Sequence, residues 1–389
     1  MNPKSLLFIS IITYLFMAVI MLQLGFKSAY LTRNIPVGSK PKAYNNVYMF
    51  WALLFFALMC GLRYRCGADC ESYATGLDRV AAGQPLPLYG ESMEPLFEYT
   101  TRFMVWLGIG RVPYLGFCAL VEISFFYFAL RTRNFLLPFV GLVLILGPHF
   151  CSWNNGIRQV TSSCIFVYAL VGILEGKKLW TYFVWIAVAF FIHKSSLLLV
   201  PLVLLKYYNV KPKVLFSAII LLACVYIGQT GVLDFAFDGI ELLLSFMEYD
   251  DYAKSIDSIM DAEATIQSYG PRRISLLASY LLIIFFCKKM DTFYKHDRLF
   301  RVSFLLFMIY ACATELVIGH TTLLTRPFLF FMPFLLICSG YLLNYLKKTK
   351  KIRWYGVSLA IFCSYIVMAS FAEYKDPEEA TLYKFIFLK

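Results

Sequence analysis

The stretch "FFIHKSSLLLVP", Phe190 to Pro201, breaks an apolar run with an adjacent histidine and lysine followed by two serines. Apolar residues continue on both sides, from Leu179 to Leu205. Two readings compete: a single tilted helix carrying polar groups at membrane depth, or two short arms joined by a turn at His193 and Lys194. The choice sets the direction of every later segment, and the rest of the sequence makes it.

Of 389 residues, 60% are hydrophobic, 18% aromatic and only 15% charged. That is more apolar surface than one soluble core of this length buries, so the chain reads as a polytopic membrane protein. A crossing helix needs about 20 apolar residues at about 1.5 Å each. Such runs fall near Leu6–Gly25, Val47–Leu62, Val112–Leu130, Phe135–Phe150, Ile157–Leu174, Leu179–Ile192, Ser196–Leu205, Val214–Gln229, Ile274–Cys287, Val302–Gly319, Phe328–Leu346 and Tyr355–Phe371. The first does not read as a removable signal: only Lys4 precedes it and no small-x-small cleavage pattern follows. With no internal repeat or low-complexity tract, residues 1–389 read as one integral membrane domain, with loops 63–111 and 230–273 facing outward.

Lys and Arg resist translocation and collect on the cytoplasmic side. The clusters are Lys27/Arg33/Lys40/Lys42, Arg131/Arg133, Lys177/Lys178, Lys206/Lys211/Lys213, Lys288/Lys289/Lys295/Arg298/Arg301 and Lys347/Lys348/Lys350/Lys351/Arg353. They share a side only if residues 179–205 form a hairpin. A single helix would put the acidic loop Asp234–Glu263 in the cytoplasm and "KKTKKIR" outside. His193 and Lys194 therefore belong to an outward-facing turn. Both arms look too short to cross as α-helices, which sets the turn below the outer surface, inside the protein. The expected fold is an all-α, GT-C-like polytopic membrane protein with about twelve helical segments, this short hairpin included, and both termini outward.

The net charge of +12 lies mainly in short loops beside helix ends, where topology explains it, so no nucleic-acid partner is inferred. Most of the 11 cysteines sit within spans as small apolar residues. Cys66, Cys70 and Cys151 are the outward exceptions. The i, i+4 spacing of "RCGADC" suits neither a disulfide on a helix nor a zinc site, and free thiols are the preferred reading over Cys151 pairing with Cys66 or Cys70.

The outward side holds a concentrated polar inventory: "GLRYRCGADCESY" (Gly61–Tyr73), "ESMEPLFEYTTRF" (Glu91–Phe103), "SWNNGIRQVTSS" (Ser152–Ser163), the His193 turn, "PRRIS" (Pro271–Ser275) and "HTTLLTRP" (His320–Pro327). Arginines recur at helix ends: Arg63, Arg158, Arg272, Arg273 and Arg326. A charge at the centre of a helix costs about 2.5–3.5 kcal/mol to insert, so one facing a cavity is a functional suspect. Snorkelling to lipid head groups is the plainer account of Arg272 and Arg273. Glu94, Glu98 and Arg102 follow i, i+4, i+8 on an interfacial helix, and helical ion pairing accounts for Glu98 and Arg102. Arg158 is harder to dismiss, because "NNGIRQ" groups it with Asn155 and Gln159 at a helix start whose free N–H groups and dipole favour an anion. His193 is either a bonded structural histidine or the side chain best matched to proton transfer near neutral pH.

The order Arg63, Gly67, Asp69, Tyr73, then Glu94-Pro95, "NGIRQ" and "FFIHKSS" resembles the EpsG family of bacterial exopolysaccharide polymerases, related to the Wzy O-antigen polymerases. The motif order covers about residues 45–205. Where the family often shows a Gly-Thr-Asp-type triplet this chain has Gly67-Ala68-Asp69, which keeps the carboxylate. The resemblance implies polymerisation of oligosaccharide repeats carried on polyprenyl (undecaprenyl) diphosphate, into exopolysaccharide, capsule or O-antigen, at the outer face of the bacterial cytoplasmic membrane. It also implies a flippase and a chain-length regulator acting beside the protein.

For that chemistry the leaving diphosphate needs guanidinium partners, assigned to Arg158 first with Arg63 and Arg326 as helpers. His193, Asp69 and Glu94 compete as the base for the acceptor hydroxyl; the expectation is His193 as base with Asp69 positioning an arginine or the acceptor. Tyr73, Asn155, Gln159, Lys194 and Arg272 complete the expected substrate contacts. No cofactor is called for and no metal ligand set is seen; the acidic stretch "EYDDYAKSIDSIMDAE" (Glu248–Glu263) reads as a solvated amphipathic helix. A flippase for lipid-linked sugars is the rival from another class, and an O-antigen-type ligase the rival within the same chemistry. Glu122 and Glu315, both inside spans, have no assigned role.

Overall fold

A computed structural model describes residues 2–31, 46–66, 69–84, 94–230, 270–317, 325–373 and 381–388. Arg33, Lys40, Lys42, Gly67, Ala68, Glu91, the acidic loop Asp234–Glu263 and His320 lie outside the described residues.

The described chain is helical, and its elements are α1 (Pro3–Leu31), α2 (Val47–Gly61), α3 (Cys70–Ala81), α4 (Pro95–Trp106), α5 (Arg111–Ala129), α6 (Leu137–Leu146), α7 (His149–Asn155), α8 (Ile157–Leu174), α9 (Leu179–Ile192), α10 (Val214–Gln229), α11 (Pro271–Phe293), α12 (Arg298–Leu316), α13 (Arg326–Leu329), α14 (Met332–Lys348) and α15 (Ile352–Glu373). Segments Arg131–Leu136, Lys194–Tyr207 and Ile386–Leu388 are 3-10 helices. Six helical stretches, one of them Arg326–Lys348 across α13 and α14, are long and apolar enough to cross a membrane, and the bent pair Arg131–Leu146 with His149–Asn155, if counted as one span, brings the number to seven. This is a multi-pass membrane protein.

Where an apolar run is unbroken, the observed helix matches the expected one: Ile157–Leu174, Leu179–Ile192 and Val214–Gln229 agree at both ends. The expected span Phe135–Phe150 is instead broken, with a bend of 73°. Pro148 brings no N–H to continue the ladder. Gly147 turns to extended backbone, and a Cβ there would meet the Val143 carbonyl at 2.6 Å, so a larger residue would push the break open. The break frees α7 to carry Asn154 and Asn155 toward the start of α8.

Helices α6 and α14 are buried along nearly their whole length, α6 between α1, α14 and α15. Because lipid tails are as apolar as leucine, packing rather than hydrophobic transfer holds these helices together. Close approach is visible at Gly61, where a Cβ would meet the Val112 carbonyl of α5 at 2.6 Å. Asn46 caps α2 by accepting from the Tyr48 and Met49 N–H groups, and its amide donates to the Ser28 carbonyl at 3.1 Å, tying the end of α1 to the start of α2.

The hairpin at His193 is present. Tyr182 of α9 donates to the Leu199 carbonyl at 2.5 Å and Ser196 to the Ala189 carbonyl at 3.3 Å, so the second arm folds back along the first. The second arm departs from expectation in kind: it is a 3-10 helix of 14 residues containing Pro201. At about 2.0 Å rise per residue it reaches about 28 Å, close to a full crossing, where an α-helical stub would stop short.

The basic clusters converge at one end of the bundle. Arg133, after α5, donates to Glu175 at the end of α8 (2.6 Å) and to Asp297 before α12 (2.9 Å). Arg298 donates to the Lys206 carbonyl, and Lys347 sits 3.7 Å over the Phe26 ring. Helices α3 and α4, the His193 turn and the start of α8 lie at the opposite end.

Candidate active site

Glu94 opens the site. It is the N-cap residue of α4, followed by Pro95 at the first helical position, where the missing N–H costs nothing. Its carboxylate is buried and faces three partners. One oxygen lies 3.2 Å from His193 Nδ1 and 3.5 Å from the Lys194 backbone N–H, and the other pairs with Arg158 Nη1. Burial alone would raise the carboxyl pKa. The His193 hydrogen bond, the Arg158 charge, its own backbone N–H and the Arg158 hydrogen bond outweigh that and hold it at about 2. Glu94 is therefore an anion at neutral pH, and His193 Nδ1 is assigned as the N–H that donates to it. In that tautomer Nε2 is left as an acceptor.

The turn that holds His193 is itself fixed. The Ala189 carbonyl accepts from the His193 N–H (2.8 Å), from Ser162 of α8 (3.0 Å) and from Ser196 (3.3 Å). Extended backbone at His193 (φ −154, ψ 110) ends α9 there. The imidazole lies 6.0 Å from the Phe330 ring, whose carbonyl accepts from Ser163 of α8 at 2.8 Å.

Arg158 is in the first turn of α8, after Gly156. Besides pairing with Glu94, its charge stands near the Tyr73 phenol, and the guanidinium lies 5.9 Å over the Phe97 ring. Tyr73 packs edge-on to Phe97 at 5.8 Å. Burial raises the Tyr73 phenol above its ordinary value despite the nearby Arg158 charge, so it stays a neutral donor. Arg158 keeps a side-chain exposure of 32%, enough to meet a ligand.

Asp69 is the N-cap residue of α3, and its N–H donates to Asn155 Oδ1 at 2.6 Å. Desolvation raises its carboxyl pKa, while the charges of Arg326 and Arg158 pull it down, so Asp69 stands among both arginines. Gln159 donates its side-chain N–H to the Arg326 carbonyl and so ties α13 to α8.

The structure thus brings Asp69, Tyr73, Glu94, Asn155, Arg158, Gln159, His193, the Lys194 backbone and Arg326 into one cluster. Two residues fall elsewhere. Arg63 is buried, with its guanidinium on the Cys60 carbonyl (2.5 Å) and the Asn154 carbonyl (3.3 Å), so it closes the ends of α2 and α7 behind the cluster. Arg272 is exposed in the first turn of α11, while its neighbour Arg273 takes the buried Glu315 at 3.0 Å. That pair gives Glu315 its place. Glu122 is also buried and accepts from Thr161, one turn below Arg158, at 3.3 Å. Cys66, Cys70 and Cys151 are free thiols, with Cys66 and Cys151 at 3.6 and 3.8 Å from the Tyr14 hydroxyl.

Sequence reasoning missed Ser162, Ser163, Phe97 and Phe330 as supports. The "TSS" run was legible, but its partners on α9 and after α13 were not. Chemically the cluster offers a carboxylate-oriented imidazole with a free acceptor nitrogen beside two guanidinium groups. Among curated proteins and among solved structures nothing matches the chain. The EpsG family model matches residues 46–385, nearly the whole length, so the protein belongs to the EpsG family, a Wzy-like polymerase family.

Proposed function

We propose that the protein is a glycosyltransferase that polymerises oligosaccharide repeats carried on polyprenyl diphosphate into exopolysaccharide, capsule or O-antigen, at the outer face of the bacterial cytoplasmic membrane. Family membership supports a polysaccharide-polymerase role in general. The observation that carries the finer reading is Glu94 bridging His193 and Arg158.

In this reaction a hydroxyl of one repeat attacks the anomeric carbon of the sugar joined to the other carrier. A carbon–oxygen bond forms there, the bond from that carbon to the diphosphate oxygen breaks, and the hydroxyl proton must go to a base. His193 Nε2 takes it, a step worth about 10²–10⁴-fold in rate when the base is well placed. Glu94 holds the ring and stabilises the imidazolium that forms, as the carboxylate does in a catalytic triad. Glu94 is thus a positioning residue here, whereas the sequence alone left it competing as the base. Arg158 and Arg326 face the charge that grows on the departing diphosphate. Asp69 sets those arginines, and Tyr73, Asn155 and Gln159 hold the cluster's edges.

Cells lacking the native protein, complemented with wild type or Arg158→Ala at equal membrane levels, test the reading. Loss of the polymer ladder with single lipid-linked repeats accumulating on the outer face is the expected result. Accumulation on the cytoplasmic face would instead identify a transporter.

A further inference from the structure

Helix α4 has 12 residues, about 18 Å of helix, which is too short to cross about 30 Å of hydrocarbon. One side is buried: Phe97 and Met104 pack with α3 and α5, and Thr101 meets the Tyr114 hydroxyl of α5 at 2.9 Å. The other side is exposed yet apolar, with Tyr99 69%, Phe103 54%, Trp106 77% and Leu107 50% accessible. At i, i+4, i+7 and i+8 these four share one face. A helix lying on a protein–water surface has the reverse order, polar residues outward.

Two further features indicate what covers this face. Its flanking charges, Glu98 and Arg102, are bound to each other at 2.7 Å, so the rim is neutral as a pair. The apolar helices that α4 touches also expose large apolar side chains: α9 exposes Phe191, and α5, which meets α4 at Tyr114, exposes Phe117. Tyr and Trp, with an apolar body and one polar tip, collect at the boundary between head groups and acyl chains.

We propose that the Tyr99/Phe103/Trp106/Leu107 face docks into the lipid surface of the leaflet at the end opposite the basic loops, with α4 lying in the membrane plane. The docking sets the depth of Glu94, because Glu94 caps the first turn of the same helix. It follows, resting on the reaction proposed above, that a diphosphate at head-group depth reaches Arg158 sideways from the leaflet rather than from open water.

Tryptophan quenching in bilayers tests the docking without any activity measurement. The full chain and its Trp106→Phe variant are reconstituted in phosphatidylcholine–phosphatidylglycerol vesicles whose acyl chains carry bromine either near the head group or near the chain end. The difference between the two proteins reports Trp106. The expected result is loss of the Trp106 emission chiefly with bromine near the head group, and little loss with aqueous acrylamide. Quenching by acrylamide alone puts the face in water and overturns the proposal. Protection from both quenchers overturns it too, since protein then covers the face. A failed docking leaves the polymerase reading standing, and an inactive polymerase leaves the docking result unaffected.

Discussion

Each end of the bundle holds an arginine bound to a carboxylate, and the two sites differ in how fully those groups are used. At the basic end Asp297 accepts from Arg133 Nε (2.9 and 3.0 Å), Arg133 Nη2 (2.9 Å), the Tyr341 hydroxyl (2.5 Å) and the Leu299 N–H (3.2 Å). The rest of the Arg133 fork goes to Glu175 and Thr132. Four of the five Arg133 N–H groups are thus engaged, and both side chains are buried, so little is left to meet a ligand. At the opposite end Glu94 is bonded at both oxygens, but its partners are less fully used: Arg158 has unspent N–H groups and His193 a second ring nitrogen with no partner among the described residues. A saturated buried network fixes structure; one whose carboxylate is satisfied while the partners face outward is prepared for something else.

That contrast predicts opposite behaviour when each site is cut. The largest effect belongs to His193→Ala and Arg158→Ala: polymerisation falls by about 10²–10⁴-fold while the protein still reaches the membrane at wild-type levels, read by ladder length against an immunoblot. Next, Arg133→Ala leaves Asp297 buried and uncompensated, which costs about 3–5 kcal/mol and lowers the thermal midpoint and the membrane level together. Replacing both partners by apolar residues, Arg133→Met with Asp297→Leu, recovers much of that loss. If Arg133→Ala is stable and inactive, the assignment of the two ends is reversed.

The contrast has a pH signature as well. Glu94 sits at about 2 when folded, below its ordinary value of 4.5. A depressed carboxylate contributes fully above its unfolded value and loses that contribution as pH falls toward the folded one. The stability difference between wild type and Glu94→Gln should therefore be constant from about pH 5 upward and shrink below about 4.5, followed by thermal midpoints across pH. A loss of activity above pH 5 cannot come from Glu94. The smallest effect is that of Gln159→Ala, which frees the Arg326 carbonyl for about 1 kcal/mol, or a few-fold in rate, with no change in membrane level.

How much of this was legible depends on whether the information is local. Unbroken apolar runs gave α8, α9 and α10, because hydropathy over about 20 residues is what a bilayer selects. The break at Gly147 and Pro148 escaped, since an apolar average runs straight through two residues that change the backbone. Helix α3 escaped because its buried residues Cys70, Ala74, Leu77 and Val80 mark an amphipathic stripe rather than a run. The charge rule found the hairpin but gave no reason to expect a 3-10 arm. Site residues were legible as types in order, yet the pairing of Glu94 with His193 joins positions 99 apart and leaves no pattern between them. Arg63 and Arg158 look alike in sequence, each a charge at a helix end. Only three dimensions show that one closes backbone carbonyls and the other faces a carboxylate.

The most direct measurement is a double-mutant cycle on polymerisation by purified protein in bilayers, comparing His193→Ala, Glu94→Gln and the pair. If Glu94 acts through the imidazole, the double variant is no slower than His193→Ala alone, because the ring that Glu94 positions is already gone. If the two losses multiply, or if His193→Ala keeps the wild-type rate, Glu94 does not work by orienting a His193 base and the chemistry must be assigned to another group.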